Sequence, residues 1–141
     1  MQSTSKKVYL SGSVIYAFID RSHPKHDMAA SYFRYFAENN YHVFTDIVTI
    51  TTVHNRISSD MSLTVGKEFL KTMTQSSTTV LYPDEKDFYN ATKLFIADRT
   101  AGLVFETALI AVLADKREIS QVATFDFLHA VYGLKVFYLP I

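Results

Sequence analysis

Asp126 closes the run Gln121-Val-Ala-Thr-Phe-Asp, an apolar strand that stops on a carboxylate. A carboxylate placed there caps backbone amides, or supplies an oxygen ligand to a hard divalent cation if other acids stand nearby. Asp46 follows a second apolar run, Glu106 sits in the apolar segment 103–114, and Asp98 precedes a break at Gly102. Asp20 lies nine residues after Ser11, which along a helix is roughly 13 Å. His23 and His26 flank Pro24 like a ligand pair, but zinc sites take three or four protein ligands, and a solvated loop accounts for both. His54 and His129 have no evident partners. Ser11, His54 and Asp126 supply the residue types of a hydrolytic triad, yet neither a nucleophile elbow nor an oxyanion hole accompanies them. With no cysteine there is no thiolate metal site or thiol nucleophile, in agreement with a reducing compartment.

The elements that must position these groups alternate in type. Strands are predicted at 8–10, 42–45, 78–82, 121–125 and 135–138. Helices are predicted at 14–19, 25–38, 46–57, 62–73, from Pro83 to about Asp98, and through the apolar segment that begins at Leu103. Pro83 is expected in the first turn of its helix, with Asp84, Glu85 and Asp87 where the helix dipole favours acids. Strands alternating with helices call for a mainly parallel sheet covered on both faces, with ligands beyond the carboxyl ends of the strands. Those ends are Ser11, Thr45 and Asp126.

The composition, 48% hydrophobic and 20% charged over 141 residues, predicts one compact domain over 7–141 behind a frayed segment 1–6. Fourteen basic and fourteen acidic residues cancel, so no whole-molecule field steers the protein to nucleic acid or an anionic membrane. Lys6-Lys7 and Lys116-Arg117 are the only adjacent basic pairs, and no groove that tracks a nucleic-acid backbone is visible. The segment 103–114 is too short to span a bilayer and the start lacks a signal-peptide core, so a soluble, cytoplasmic protein without a membrane partner is expected. Tyr32, Phe33, Tyr35 and Phe36 cover more than one face of their helix, as do Phe88, Tyr89 and Phe95, so a monomer is expected to leave part of this aromatic surface exposed, which implies an interface.

The chain resembles the PIN domain, the α/β nuclease fold of VapC-type toxins, over nearly all of 7–140. VYLSGSVIYAFIDRSHPKHDMAASYF is similar to the opening strand, turn and helices, FTDIVTITTVHNRI to the second strand and its helix, and IADRTAGLVFETALIAVLADKREISQVATFDFLHAVYGLKVFYLP to the closing half. The resemblance implies a three-layer α/β/α fold with about four to five strands. It also implies a ribonuclease dependent on magnesium or manganese, commonly a homodimer, with RNA and an antitoxin or other protein as partners. Four acids hold the metal in that family, and the matching positions here are Ser11, Thr52, Thr107 and Asp126.

Only Asp126 is an acid, and a neutral hydroxyl gives an oxygen but no charge. The expectation is therefore a degenerate, pseudoenzyme-like PIN domain, impaired or inactive, that binds RNA or protein and carries no cofactor. The alternative is a magnesium or manganese ribonuclease with an altered centre, in which Glu106 or Asp46 joins Asp126. Glu106 adjoins Thr107, and neighbouring helix positions point about 100° apart, so it reaches in only if the helix is suitably rotated. In the plainer reading Ser11 and Ser13 cap the first helix, while Thr52 and Thr107 bond back to helix carbonyls.

Overall fold

Leu10, Tyr9 and Val8 are all but inaccessible to water, although they point alternately to opposite faces of one strand. A strand buried on both faces needs a layer on each side, and the fold supplies them. The computed structural model describes residues 6–99, 102–126 and 132–140. In chain order these form β1 (Lys7–Leu10), α1 (Gly12–Ile19), α2 (His26–Glu38), β2 (His42–Asp46), α3 (Ile47–Asp60) and α4 (Leu63–Gln75). There follow β3 (Thr79–Leu81), α5 (Glu85–Ala97), α6 (Phe105–Lys116), β4 (Gln121–Ala123) and β5 (Lys135–Val136). The sheet runs β3-β2-β1-β4-β5 and is parallel throughout, with Tyr9 in register with Phe44 on one side and Val122 on the other.

Val8 and Leu10 join the core formed with α1 to α4, while Tyr9 joins the one formed with α5 and α6. The α/β/α expectation holds, with five strands. Helix α6 is apolar all round, and the consecutive residues Ala108 to Ala114 are buried, as a helix without a polar face requires. Strand order reverses on either side of β1, so the carboxyl ends of β1 and β4 form a topological switch point.

Local chemistry moves several boundaries. Pro83 precedes its helix instead of opening it, because Asp84 is the N-cap: its side chain accepts from Asp87 N–H, and the Asp87 carboxylate accepts from Asp84 N–H. Burial opposes the Asp87 charge, but Lys116 at 2.8 Å and the Asp84 amide outweigh it and hold its pKa below the usual value. Helix α3 continues past the predicted 57 to Asp60 despite its β-branched residues, because Ile50, Val53 and Ile57 all face the core. Lys6, expected in the frayed start, already accepts a strand-like bond from His42 N–H.

Part of the aromatic set stays exposed, as expected, and the packing decides which part. Tyr32 and Phe36 on α2 are buried, packed with Tyr35, Tyr41, Phe125 and Phe137, because the return of β5 lays Phe137 over α2. Phe88, Tyr89 and Phe95 on α5 do stay exposed, beside Tyr82, Ile96 and Val104. Among the described residues no helix is long and apolar enough to cross a membrane.

Candidate functional site

The amide of Ser11 donates to Ala123 O, which draws the end of β1 against the end of β4. Ser11 occupies the N-cap position of α1, yet its hydroxyl makes no cap bond. It pairs with Ser13 Oγ at 2.9 Å, which in turn pairs with Thr124 Oγ1 at 3.3 Å and accepts from Phe125 N–H. Thr124 Oγ1 then accepts from Asp126 N–H. This chain of hydroxyls fixes the turn that carries Asp126, so the expected serine caps serve the site instead.

A cavity of about 350 Å³ opens at this switch point, lined by Ser11, Glu106, Thr107, Thr124 and Asp126 among others. A smaller one of about 150 Å³ adjoins it between α1 and α3, lined by Gly12, Thr52, Arg56, Glu106 and Asp126 among others. Ser11, Thr52, Thr107 and Asp126 therefore reach one crevice, and Glu106 and Asp126 open into both of its parts.

Glu106 comes in because α6 is held at a fixed rotation. Phe105 packs edge-on against Phe88 and Phe95, which leaves Glu106 and Thr107 straddling the crevice from the first turn. The Glu106 carboxylate reaches α1: a Cβ built on Gly12 would lie 3.8 Å from Oε2. Although the residue as a whole is exposed, its carboxyl end is partly stripped of water. That loss, and then the charges of Asp46 and Asp126, raise its pKa.

Asp46 is committed elsewhere. It is buried as the N-cap of α3, with Oδ1 accepting from Thr49 N–H at 2.7 Å and Oδ2 from the Tyr9 and Thr49 hydroxyls at 2.5 and 2.9 Å. Burial, reinforced by Asp46, pushes the Tyr9 phenol far above its ordinary value and keeps it a donor. Asp46 thus acts on the crevice through its charge, with its oxygens taken.

The remaining candidates disperse. Neither Thr52 nor Thr107 makes the expected back-bond to a helix carbonyl, whereas Thr51 does. His54 contacts Ser58 and faces Gly66 on α4, which dismantles the triad with Ser11 and Asp126. His23 accepts from Lys25 N–H and His26 meets Ala17 O, so each has its own backbone partner. Asp20 caps the turn at Ser22, Asp98 ends α5, and His129 lies outside the described residues. The sequence reading passed over Tyr9, Tyr16 and Arg56. For Arg56 a signal existed: it stands one helical turn after Thr52.

Magnesium and manganese want hard oxygen ligands with charge. Among the described residues no group of three or more Asp, Glu or His is close enough to hold a metal ion. Two carboxylates and several neutral hydroxyls are a poor cage. The Glu106 shift has a consequence for stability. A carboxyl that holds its proton more tightly in the folded state lends stability that is full below the ordinary glutamate range and lost as pH rises through its folded pKa. Glu106→Gln is expected to raise the Tm at about pH 7.5 and to leave it near wild type at about pH 4, by scanning calorimetry. A lower Tm at the higher pH would contradict the strained carboxyl.

No protein-family profile and no curated protein matches the chain. Among solved structures it is similar to Mycobacterium tuberculosis VapC20, described as a sarcin-ricin loop cleaving toxin. The TM-score is 0.75 at 13% identity, over 84% of this chain and 89% of that one. Identity that low establishes architecture and leaves the chemistry to the residues themselves. The chain has the PIN-domain fold of the VapC toxins.

Proposed function

We propose that this chain is a PIN-fold RNA-binding module whose metal-dependent nuclease centre is impaired or lost. The observation that carries the reading is the make-up of the switch-point crevice, where Ser11, Thr52 and Thr107 offer neutral hydroxyls and only Glu106 and Asp126 offer negative charge. Removing three carboxylates from a site that must concentrate a hard cation removes most of its attraction for one. The cavity itself persists at about 350 Å³, room enough for a nucleotide-sized ligand. RNA is the ligand class that the resemblance to VapC-type toxins implies, and the similar VapC20 is described as cleaving the sarcin-ricin loop. The exposed aromatic face of α5 supports a protein contact as well, either a second copy in a homodimer or an antitoxin-like partner.

One observation favours a second reading, a magnesium or manganese ribonuclease with an altered centre. Glu106 and Asp126 line the same cavities, and the charge of Asp126 acts on Glu106. Magnesium is sometimes held by two carboxylates when a substrate phosphate and water complete its shell.

Labelled single-stranded and hairpin RNA, incubated with wild type and Asp126→Ala, separates the two. The impaired module binds RNA in chelator and, with magnesium or manganese added, cleaves no faster than the mutant. Cleavage by wild type that falls about a hundredfold or more in Asp126→Ala would establish the enzyme instead.

A further inference from the structure

Arg56 lines the smaller part of the crevice with Glu106 and Asp126, and it is the only cationic residue among those that do. Its guanidinium carbon stands 3.7 Å from the centroid of the Tyr16 ring. Tyr16 is buried on α1, and its hydroxyl donates to Asp60 Oδ2 at 3.0 Å. The same oxygen faces Arg56 Nε at 3.4 Å. One face of the guanidinium is therefore backed by an aromatic ring and its Nε edge is turned to a carboxylate. Its two terminal amino groups make no hydrogen bond among the described residues.

A plain surface ion pair explains this poorly. At 3.4 Å the Nε contact is long for a charge-assisted bond, and an exposed pair one helical turn apart contributes little to stability. What the cluster does well is hold a planar fork in one orientation, so that little rotamer freedom is lost when the fork binds. An anion entering the crevice meets two carboxylates and needs a counter-charge, which Arg56 alone among the lining residues supplies. The spacing of its two amino groups suits two oxygens of one phosphate, and its uncovered face suits a base or ribose.

We propose that Arg56, backed by Tyr16 and steered by Asp60, is a phosphate-positioning subsite for single-stranded RNA entering the crevice. The inference rests on the RNA-binding reading above and adds the group that places the strand.

The test is fluorescence anisotropy in EDTA with a labelled unstructured RNA of about 12 nucleotides, over a range of salt concentrations. The proteins are wild type, Arg56→Gln, Arg56→Lys and, as a distant charge control, Lys93→Gln on α5, which lies over Tyr89. Both Arg56 variants are expected to bind about tenfold more weakly, and Arg56→Gln to flatten the logarithmic salt slope by about 0.7. Lys93→Gln and all thermal midpoints should stay near wild type. Wild-type affinity in Arg56→Gln overturns the subsite alone, and so does full affinity in Arg56→Lys, which would mean that any charge suffices. An equal loss in Lys93→Gln, or a loss that tracks a fallen midpoint, also overturns it. Absence of RNA binding by the wild type overturns the subsite together with the reading beneath it.

Discussion

Asp46→Ala is expected to lower the unfolding free energy by about 3 kcal/mol, roughly one for the lost helix cap and two for the stranded polar partners. The carboxylate receives the Thr49 amide and hydroxyl at the head of α3 and the hydroxyl of Tyr9 from the centre of the sheet. Removing it leaves a phenol that is closed off from water without an acceptor. Tyr9→Phe removes only the donor and should cost about 2 kcal/mol, because the acid keeps two partners. The double mutant should cost less than the sum, since the second change removes a group that the first has already stranded. Urea unfolding measures all three. Wild-type stability in Asp46→Ala would mean that this acid is free to serve the crevice, contrary to the bonding described above.

Phe36→Ala should cost about 4 kcal/mol, a large share of the 5–15 kcal/mol typical of a domain. Phe36 is 2% exposed, with the rings of Phe137 and Tyr41 centred 4.9 and 5.2 Å away, so its removal opens a cavity between α2 and the returning strand. Phe88, 58% exposed, should cost less than about 1 kcal/mol on truncation. The pair separates core aromatics from those available to a partner. Comparable losses from both, read by the same urea titration, would show that Phe88 is held in the core as Phe36 is.

Much of this was legible in the sequence. The alternation of elements, the break at Pro24 and the carboxylate at the end of Thr124-Phe125-Asp126 were enough to anticipate a parallel sheet with a site at its strand ends. Asp126 does line a cavity at those ends. Other features were not accessible to reasoning from local patterns. Which of the aromatic residues stay exposed was not readable, because the ring that covers those of α2, Phe137, lies about a hundred residues further along the chain. Helical geometry said that Glu106 and Thr107 diverge, but not that both would border the crevice. That is decided by how Phe105 seats against α5. Asp46 looked like a spare ligand because the phenol that claims it belongs to another strand, 37 residues earlier. Arg56 was passed over among scattered basic residues, since its meaning depends on a tyrosine from α1 lying beneath it.

On the reading proposed above, Glu106 and Asp126, among hydroxyls, do not make a working metal centre. The most direct measurement is a calorimetric titration of the wild type with manganese beside Asp126→Ala, with ribonuclease activity followed on the same preparations. No saturable binding in the micromolar range is expected, and no cleavage that distinguishes the two proteins. Micromolar manganese binding together with RNA cleavage, both abolished in Asp126→Ala, would contradict it and assign Glu106 and Asp126 to an active nuclease.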